Sequence, residues 1–392
     1  MDYPADLSFL FMNPTRIVFG AGSAGDVGVE LRALGCSKPL IVTDRFLNEQ
    51  TDLVKRVARP LGEACAGIFS DVPADSGLHT VDAGAELGRA RGADSIVSIG
   101  GGSVIDTAKG IALLLKEGGS ILDYQGFQLL NRRQTPHISL PTTAGTGSEV
   151  TYVAVLKDHR SKRKLLFADH HIIPDVAILD PKLVIGLPPL LTAATGLDAF
   201  SHGLEAVTSA QREPIADALG LHAMRLIARH LPAAVRNGAD LAARGQTLIA
   251  AALGGAAFSN AQVGLIHAIA HVVGARHAVH HGTANAIAMP HVMRFNNDAV
   301  ADRHRLVAEA LGLDVRGLSD EEAGLRAAEA VAEFVRALGL PRSFREAGVP
   351  ESDLAACAEL ALSDGAIVYN AKPVRDAATV LGVLKAAWQG AS

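Results

Sequence analysis

The stretch Thr195-Gly196-Leu197-Asp198-Ala199-Phe200-Ser201-His202 sets a carboxylate and an imidazole four residues apart. On a helix that interval places both side chains on one face, within reach of a single cation. About sixty-five residues later His267 and His271 repeat the interval in an otherwise apolar run, Gly264-Leu265-Ile266-His267-Ala268-Ile269-Ala270-His271. His277, His280, His281 and His291 follow, so six of the fifteen histidines lie between 267 and 291. A lone histidine on an apolar face is usually a hydrogen-bonded core residue. A cluster is different, because burying several unpartnered imidazoles is costly and a divalent cation satisfies them together. One carboxylate with two or three imidazoles and no thiolate suits Fe(II), Zn(II) or a similar first-row ion. Spacing pairs His267 with His271 and leaves open which of His277, His280 and His281 completes the set.

Two further segments are suited to an anion. Ser98-Ile99-Gly100-Gly101-Gly102-Ser103-Val104-Ile105-Asp106 follows an apolar strand and opens a helix. Three glycines let backbone amides approach a ligand closely, and the helix start adds partial positive charge and unpaired N–H groups. A dinucleotide pyrophosphate fits there, although the spacing is not the usual G-x-G-x-x-G; a plain tight turn capped by Ser103 is the alternative. Pro141-Thr142-Thr143-Ala144-Gly145-Thr146-Gly147-Ser148-Glu149 sets hydroxyls and glycines directly after another strand. Ligands of α/β sheets sit beyond the carboxyl ends of the strands, where both segments should lie. Asp44 follows the strand Leu40-Ile41-Val42-Thr43. A carboxylate there can accept from a ribose 2′-hydroxyl and repel a 2′-phosphate, which favours NAD; capping the next helix is the alternative.

The elements that must position these residues fall into two textures. Up to Asp180-Pro181 short β-type runs alternate with helical ones: strands at 40–42, 67–69, 95–99 and 138–140, helices at 47–58, 79–91 and 104–115, then β runs at 151–156, 164–167 and 176–179. That order predicts a mostly parallel sheet with helices on both faces. From Thr192 onward alanine- and leucine-rich helical segments take over, such as 214–230, 241–258 and 321–338. The proline-marked joint Leu187-Pro188-Pro189 therefore divides an α/β nucleotide domain, 1–187, from an all-helical metal domain, 188–392. The basic run from Lys157 to Lys164 sits between β runs and reads as a solvated hairpin tip.

Composition narrows the function classes. The 392 residues are 49% hydrophobic and 20% charged, with a formal net charge of −5, which disfavours attraction to nucleic acid or to an anionic membrane. Cys36, Cys65 and Cys357 are far apart and form no zinc or disulfide pattern, as expected of a cytoplasmic protein. Phe9-Leu10-Phe11-Met12 is cut short by Asn13-Pro14, unlike a signal peptide, and no apolar run approaches bilayer-spanning length.

Together these motifs resemble the iron-containing (group III) alcohol dehydrogenases over nearly the whole chain. The resemblance rests on Gly100-Gly101-Gly102-Ser103 with Asp106, on Pro141 to Glu149, on Thr195-Gly196-Leu197-Asp198-Ala199 with His202 and Glu205, and on His267, His271 and His281-Gly282 leading to Pro290-His291. It implies the dehydroquinate synthase-like architecture, an α/β dinucleotide domain followed by a helical one. It implies Asp198, His202, His267 and His281 as metal ligands, with His271 close by. Gly101, Gly102 and Ser103 would hold the diphosphate, with Gly100 and Asp106 in the same motif. Thr142 and Thr146, with Thr143 between them, would line the cofactor, Asp44 would sit at the ribose, and Lys164 would lie near the cofactor. A homodimer or larger assembly is also implied. Two departures stand out. His280 replaces the proline that often precedes the last ligand's His-Gly pair and brings a competing imidazole. Asn370-Ala371-Lys372 replaces a common Asn-Pro-Arg.

The function expected from this reading is hydride transfer between a small alcohol, or its aldehyde or ketone, and NAD at an Fe(II) or similar centre. Asp198 and His267 serve catalysis through the metal, and His271 relays the alcohol proton or orients a ligand. Tyr152, Val153 and Phe258 are candidates for the substrate pocket. Two alternatives remain: a maleylacetate reductase-like enzyme of the same architecture, and a non-catalytic subunit that binds NAD and metal.

Overall fold

The computed structural model describes residues 3–160 and 163–390. Asn13–Leu187 forms one compact unit. Its sheet has six strands, β1 (Arg16–Phe19), β2 (Pro39–Val42), β3 (Gly67–Phe69), β4 (Ser95–Gly100), β6 (His137–Pro141) and β9 (Val176–Leu179). They run in the order β1-β9-β6-β4-β2-β3 and every pairing is parallel. Side chains alternate across such a sheet, so each strand feeds two cores. Leu40, Val42 and Ile96 pack with Val81, Ala85, Ala108 and Ile111 of α4 (Leu78–Arg91) and α5 (Gly102–Glu117). Ile41, Val97 and Ile99 pack on the opposite face with Val27 and Leu31 of α1 (Val27–Ala33) and with Val54 and Val57 of α3 (Leu53–Ala58).

A smaller sheet joins β5 (Gly126–Phe127), β8 (Arg163–Ala168) and β7 (Val153–Asp158). β7 and β8 form the expected antiparallel hairpin, with Asp158 opposite Arg163; Ser161 and Lys162 of its basic tip lie outside the described residues. The helix expected over 47–58 is divided. α2 (Arg45–Gln50) ends where Thr51 adopts an extended backbone, and α3 begins after Asp52.

The second unit comprises Pro188 onward together with the N-terminal stretch ending at Met12. This corrects the expected boundary, since the described residues from Tyr3 to Met12 do not group with the α/β unit. Tyr3 donates to Asp217 Oδ2 (2.6 Å), and Met12 exchanges hydrogen bonds with the Asn260 side chain (2.7 and 3.1 Å). Polar pairing, which hydrophobic patterning does not reveal, ties that stretch down. Among the described residues eight α-helices follow: α6 (Pro189–Thr208), α7 (Pro214–Arg236), α8 (Leu241–Ala261), α9 (Leu265–His277), α10 (His281–Ala310), α11 (Asp320–Ala337), α12 (Leu354–Leu362) and α13 (Ala377–Gln389). α6 is buried at every residue from Thr192 to Thr208, as befits a helix with other helices packed all round it. Among the described residues no single helix is long and apolar enough to cross a membrane.

Candidate functional site

Asp198, His202 and Glu205 stand four and three residues apart on α6, which puts them on one stripe of its buried part. α9 turns away from α8 by 108° and brings His267 to that stripe. α10 starts at His281, and Gly282 allows it to start there: a Cβ at Gly282 would lie 2.1 Å from the Ala194 carbonyl oxygen on α6. Three helices thereby bring one donor atom each from Asp198, His267 and His281 within 4.8 Å of one another, with His202 beside Asp198 but outside that mutual group. His202 Nε2 and His267 Nε2 each lie 3.9 Å from Asp198 Oδ1, and His281 Nε2 lies 3.5 Å from it. Metal–ligand bonds of ~2.0–2.2 Å put neighbouring ligand atoms roughly 3–3.6 Å apart, close to the spacing of each imidazole from Asp198 Oδ1.

The chemistry of the donors fits a divalent metal as well. Asn285, one turn along α10 from His281, points its Nδ2 into the same focus, 2.7 Å from Asp198 Oδ1, 3.2 Å from His267 Nε2 and 3.3 Å from His281 Nε2. An amide has two protons for these three acceptors, and Asn285 Oδ1 is itself buried without a hydrogen-bond partner. No lysine or arginine pairs with Asp198 or Glu205 among the described residues. Burial alone would raise the Asp198 pKa, but the imidazoles of His202, His281 and His267 outweigh it and hold the carboxyl below its usual range. Burial likewise works against a proton on His267, yet Glu205 and Asp198 outweigh it and hold that pKa above the ordinary value.

The other histidines separate from this focus. His271, paired with His267 by spacing, gives its Nδ1 to Asp364 Oδ2 at 3.0 Å and stacks on the His281 ring at 5.4 Å. His280, the competing imidazole, is exposed at the N-cap of α10 and lines a groove of about 520 Å³ with Leu190, Leu191, Leu340 and Pro341. His277 lies near Asp353, and His291 is buried in α10. Phe258 of α8 stacks on the His202 ring at 4.3 Å.

In the α/β unit the two loops lie side by side, because β4 and β6 are neighbours and Gly100 is in register with Pro141. The Thr142 amide donates to the Gly100 carbonyl (3.0 Å), and a Cβ on Gly102 would lie 2.7 Å from Thr146 Cγ2. Thr143 packs against Gly101. α5 has no side-chain cap, which leaves its first-turn amides to an anion. Ser103 is not a cap: its Oγ accepts from the Asp75 amide (3.3 Å). Strand order reverses between β2 and β4, so Asp44, at the end of β2, stands beside the glycine loop. One Asp44 oxygen caps α2 by accepting from Leu47 N (2.8 Å). Lys164 pairs with Asp75 Oδ1 (3.0 Å).

Three further candidates are engaged by contacts within the α/β unit. Asp106 turns inward, where it accepts from Val155 N (3.0 Å) and lies 3.8 Å from Lys109 Nζ, and so it does not face a diphosphate. Lys109, fully buried, donates to Thr151 O, Thr151 Oγ1 and Val153 O (2.9, 3.1 and 2.6 Å), and burial brings its pKa down to about 8. Val153 is therefore engaged through its carbonyl. Tyr152 is buried, its ring edge-on to Phe127 and tilted against His170, with centroids 5.8 and 5.1 Å away. Sequence reasoning missed Asn285 and Asp364 and assigned Glu205 no role. The available signals were the intervals from Asp198 to Glu205 and from His281 to Asn285.

Comparison with known proteins accords with this geometry. Residues 14–181 match the iron-containing alcohol dehydrogenase model, and 192–388 match the Fe-containing alcohol dehydrogenase family, C-terminal model. The chain is 40% identical over 375 residues to an NAD-dependent methanol dehydrogenase of Bacillus methanolicus, covering 95% of this chain and 98% of that one. The crystal structure of a 1,3-propanediol oxidoreductase superposes with a TM-score of 0.94 at 36% identity, covering 97% of this chain and all of that one. A maleylacetate reductase from Agrobacterium tumefaciens shares the fold at TM-score 0.82 and 29% identity, covering 98% and 99%. With both halves matched and relatives aligned nearly end to end, the chain belongs to the iron-containing alcohol dehydrogenase family.

Proposed function

We propose that this chain transfers a hydride between a small alcohol, or the corresponding aldehyde or ketone, and NAD, with Asp198, His202, His267 and His281 holding a divalent metal. The observation that carries the reading is the convergence of three imidazole Nε2 atoms on Asp198 Oδ1 at 3.5–3.9 Å. Fe(II) is the proposed ion; a set without thiolate also accepts Zn(II) or another first-row dication. One carboxylate and three neutral imidazoles leave a bound dication with net positive charge. That charge supplies Lewis acidity, lowering the pKa of an alcohol hydroxyl so that its carbon can release hydride.

The chain's own residues do the rest. His271 takes the hydroxyl proton on Nε2 while Asp364 holds Nδ1, and its side chain is 30% exposed for release to water. Phe258 forms an apolar wall against His202. Gly101, Gly102, Ser103 and the open first turn of α5 hold the dinucleotide's diphosphate, with Thr142, Thr143, Thr146 and Lys164 around it. Asp44 offers its second oxygen to the adenosine ribose, which favours NAD. Cys36, Cys65 and Cys357 are free thiols, which supports a cytoplasmic setting. The open edge of β1, with Ile17 and Phe19 nearly half exposed, supports a homo-oligomer.

The test is NADH formation with a panel of primary alcohols, before and after chelation and metal return, alongside NADH oxidation with maleylacetate. Alcohol turnover that falls on chelation and recovers with Fe(II) or Zn(II) is expected. Turnover of maleylacetate alone, or alcohol turnover indifferent to chelation, contradicts the reading.

A further inference from the structure

We propose that Glu205 is the positioning residue of the metal centre: one carboxylate that caps α9 and at the same time fixes the His267 ring with Nε2 facing the ion. The inference rests on the ligand set proposed above. α9 opens at Gly264 with no cap of its own, so its first amides need partners from elsewhere. Asn370 Oδ1 accepts from Leu265 N (3.3 Å), while Glu205 Oε1 accepts from Ile266 N (2.8 Å) and Oε2 from His267 N (3.4 Å). Glu205 Oε2 also lies 2.6 Å from His267 Nδ1.

An ionised carboxylate only accepts, so the proton of that short bond sits on Nδ1. The neutral ring must then carry its lone pair on Nε2, the atom that points at Asp198 Oδ1 and Asn285 Nδ2. Tautomer and ring direction are thus set by a residue one turn beyond His202 on α6. The helix start of α9 offers partial positive charge to a carboxylate that is otherwise buried, with 3% exposure. One group therefore couples folding of α9 to presentation of its ligand.

Glu205→Gln separates the two roles. Glutamine keeps the length but has only one acceptor oxygen. With that oxygen on Ile266 N, its amide hydrogens face His267 Nδ1 and favour the opposite tautomer, whose Nε2–H cannot bind metal. Zinc affinity of the purified enzyme, measured by competition with a chromophoric chelator, is expected to fall about 10–100-fold. In the zinc-loaded, ¹⁵N-histidine-labelled protein the Nδ1–H signal of His267 is expected to be lost. Asn370→Ala removes the neighbouring cap and is expected to lower thermal stability without changing zinc affinity.

Wild-type zinc affinity and an unchanged His267 signal in Glu205→Gln would overturn the proposal. So would an equal affinity loss in Asn370→Ala, which would make capping the whole effect. If Glu205→Gln does not fold, Glu205→Asp retains both acceptors and the charge. It is expected to keep the Nδ1–H signal, whose loss there would also overturn the proposal. Failure of the wild-type enzyme to take up one equivalent of zinc would instead overturn the ligand set itself.

Discussion

Asp198, His267 and His281 place one donor atom each within 4.8 Å of the others; so do His277, Asp353 and Cys357, elsewhere in the helical unit. The residue types are nearly the same, yet the two clusters are wired differently. At the second, His277 Nε2 bonds directly to Asp353 Oδ2 (2.7 Å), and Arg276 grips both oxygens of that carboxylate (2.7 and 2.6 Å). The arginine already supplies the positive charge, and it holds the Asp353 carboxyl down at about 2. Burial pushes the nearby Cys357 thiol up to about 11, far from the thiolate a metal wants. At the first cluster the donor facing these acceptors is the neutral Asn285 amide, with too few protons for them. Convergence of ligand-type residues is therefore not enough; what distinguishes a cation site is that no fixed cation has satisfied it.

The contrast breaks most sharply under His267→Ala. Loss of bound metal and a fall in turnover of more than about 100-fold are expected, beyond the range typical of residues that only support a ligand. Metal analysis and steady-state assays check both, and full activity in a metal-stripped variant would end the account. Chelation comes next. Removing an ion that binds only the folded protein lowers its melting temperature by mass action, by several degrees for a tightly held metal. The drop should be the same in Asp353→Asn and absent in His267→Ala, as read by calorimetry.

Smaller effects belong to the arginine-held cluster. Asp353→Asn is expected to lower the melting temperature by only about 1–3 °C, because the Arg276 side chain is 38% exposed and water screens the pair, and to leave kcat within twofold. Its contribution has a defined pH dependence. A carboxyl whose folded pKa is depressed stabilises above its unfolded value, near 4, and loses that benefit as pH falls towards about 2. The wild-type advantage over Asp353→Asn should therefore shrink in that window. Smallest of all is His280→Ala. Exposed at the start of α10, His280 should contribute less than twofold to metal affinity or kcat, and a larger loss in either would restore it as a rival ligand.

Much of this was legible in the residues, and the misses share a cause. The alternation of strands and helices before Asp180 and the helical texture after Thr192 follow from local periodicity, and both appear in the fold. Asp198 and His202 were readable because both lie on one helix. His267 with His271 was a reasonable pair by the same rule, but the imidazole that approaches Asp198 Oδ1 from α10 is His281, seated by the contact between Gly282 and Ala194. No spacing rule encodes that contact. Asp106 carries the residue type of a binding loop; only the packing of α5 against β7 shows that it accepts from the Val155 amide. Glu205 was hidden for the opposite reason, since its partners are backbone amides 61 and 62 residues away.

X-ray absorption at the metal edge of the purified holoenzyme tests the central claim most directly, because it reads the donor atoms themselves. The account predicts three imidazole nitrogens and carboxylate oxygen at ~2.0–2.2 Å, with no sulfur. A sulfur scatterer near 2.3 Å, as Cys357 would give, or fewer imidazoles than three would contradict it.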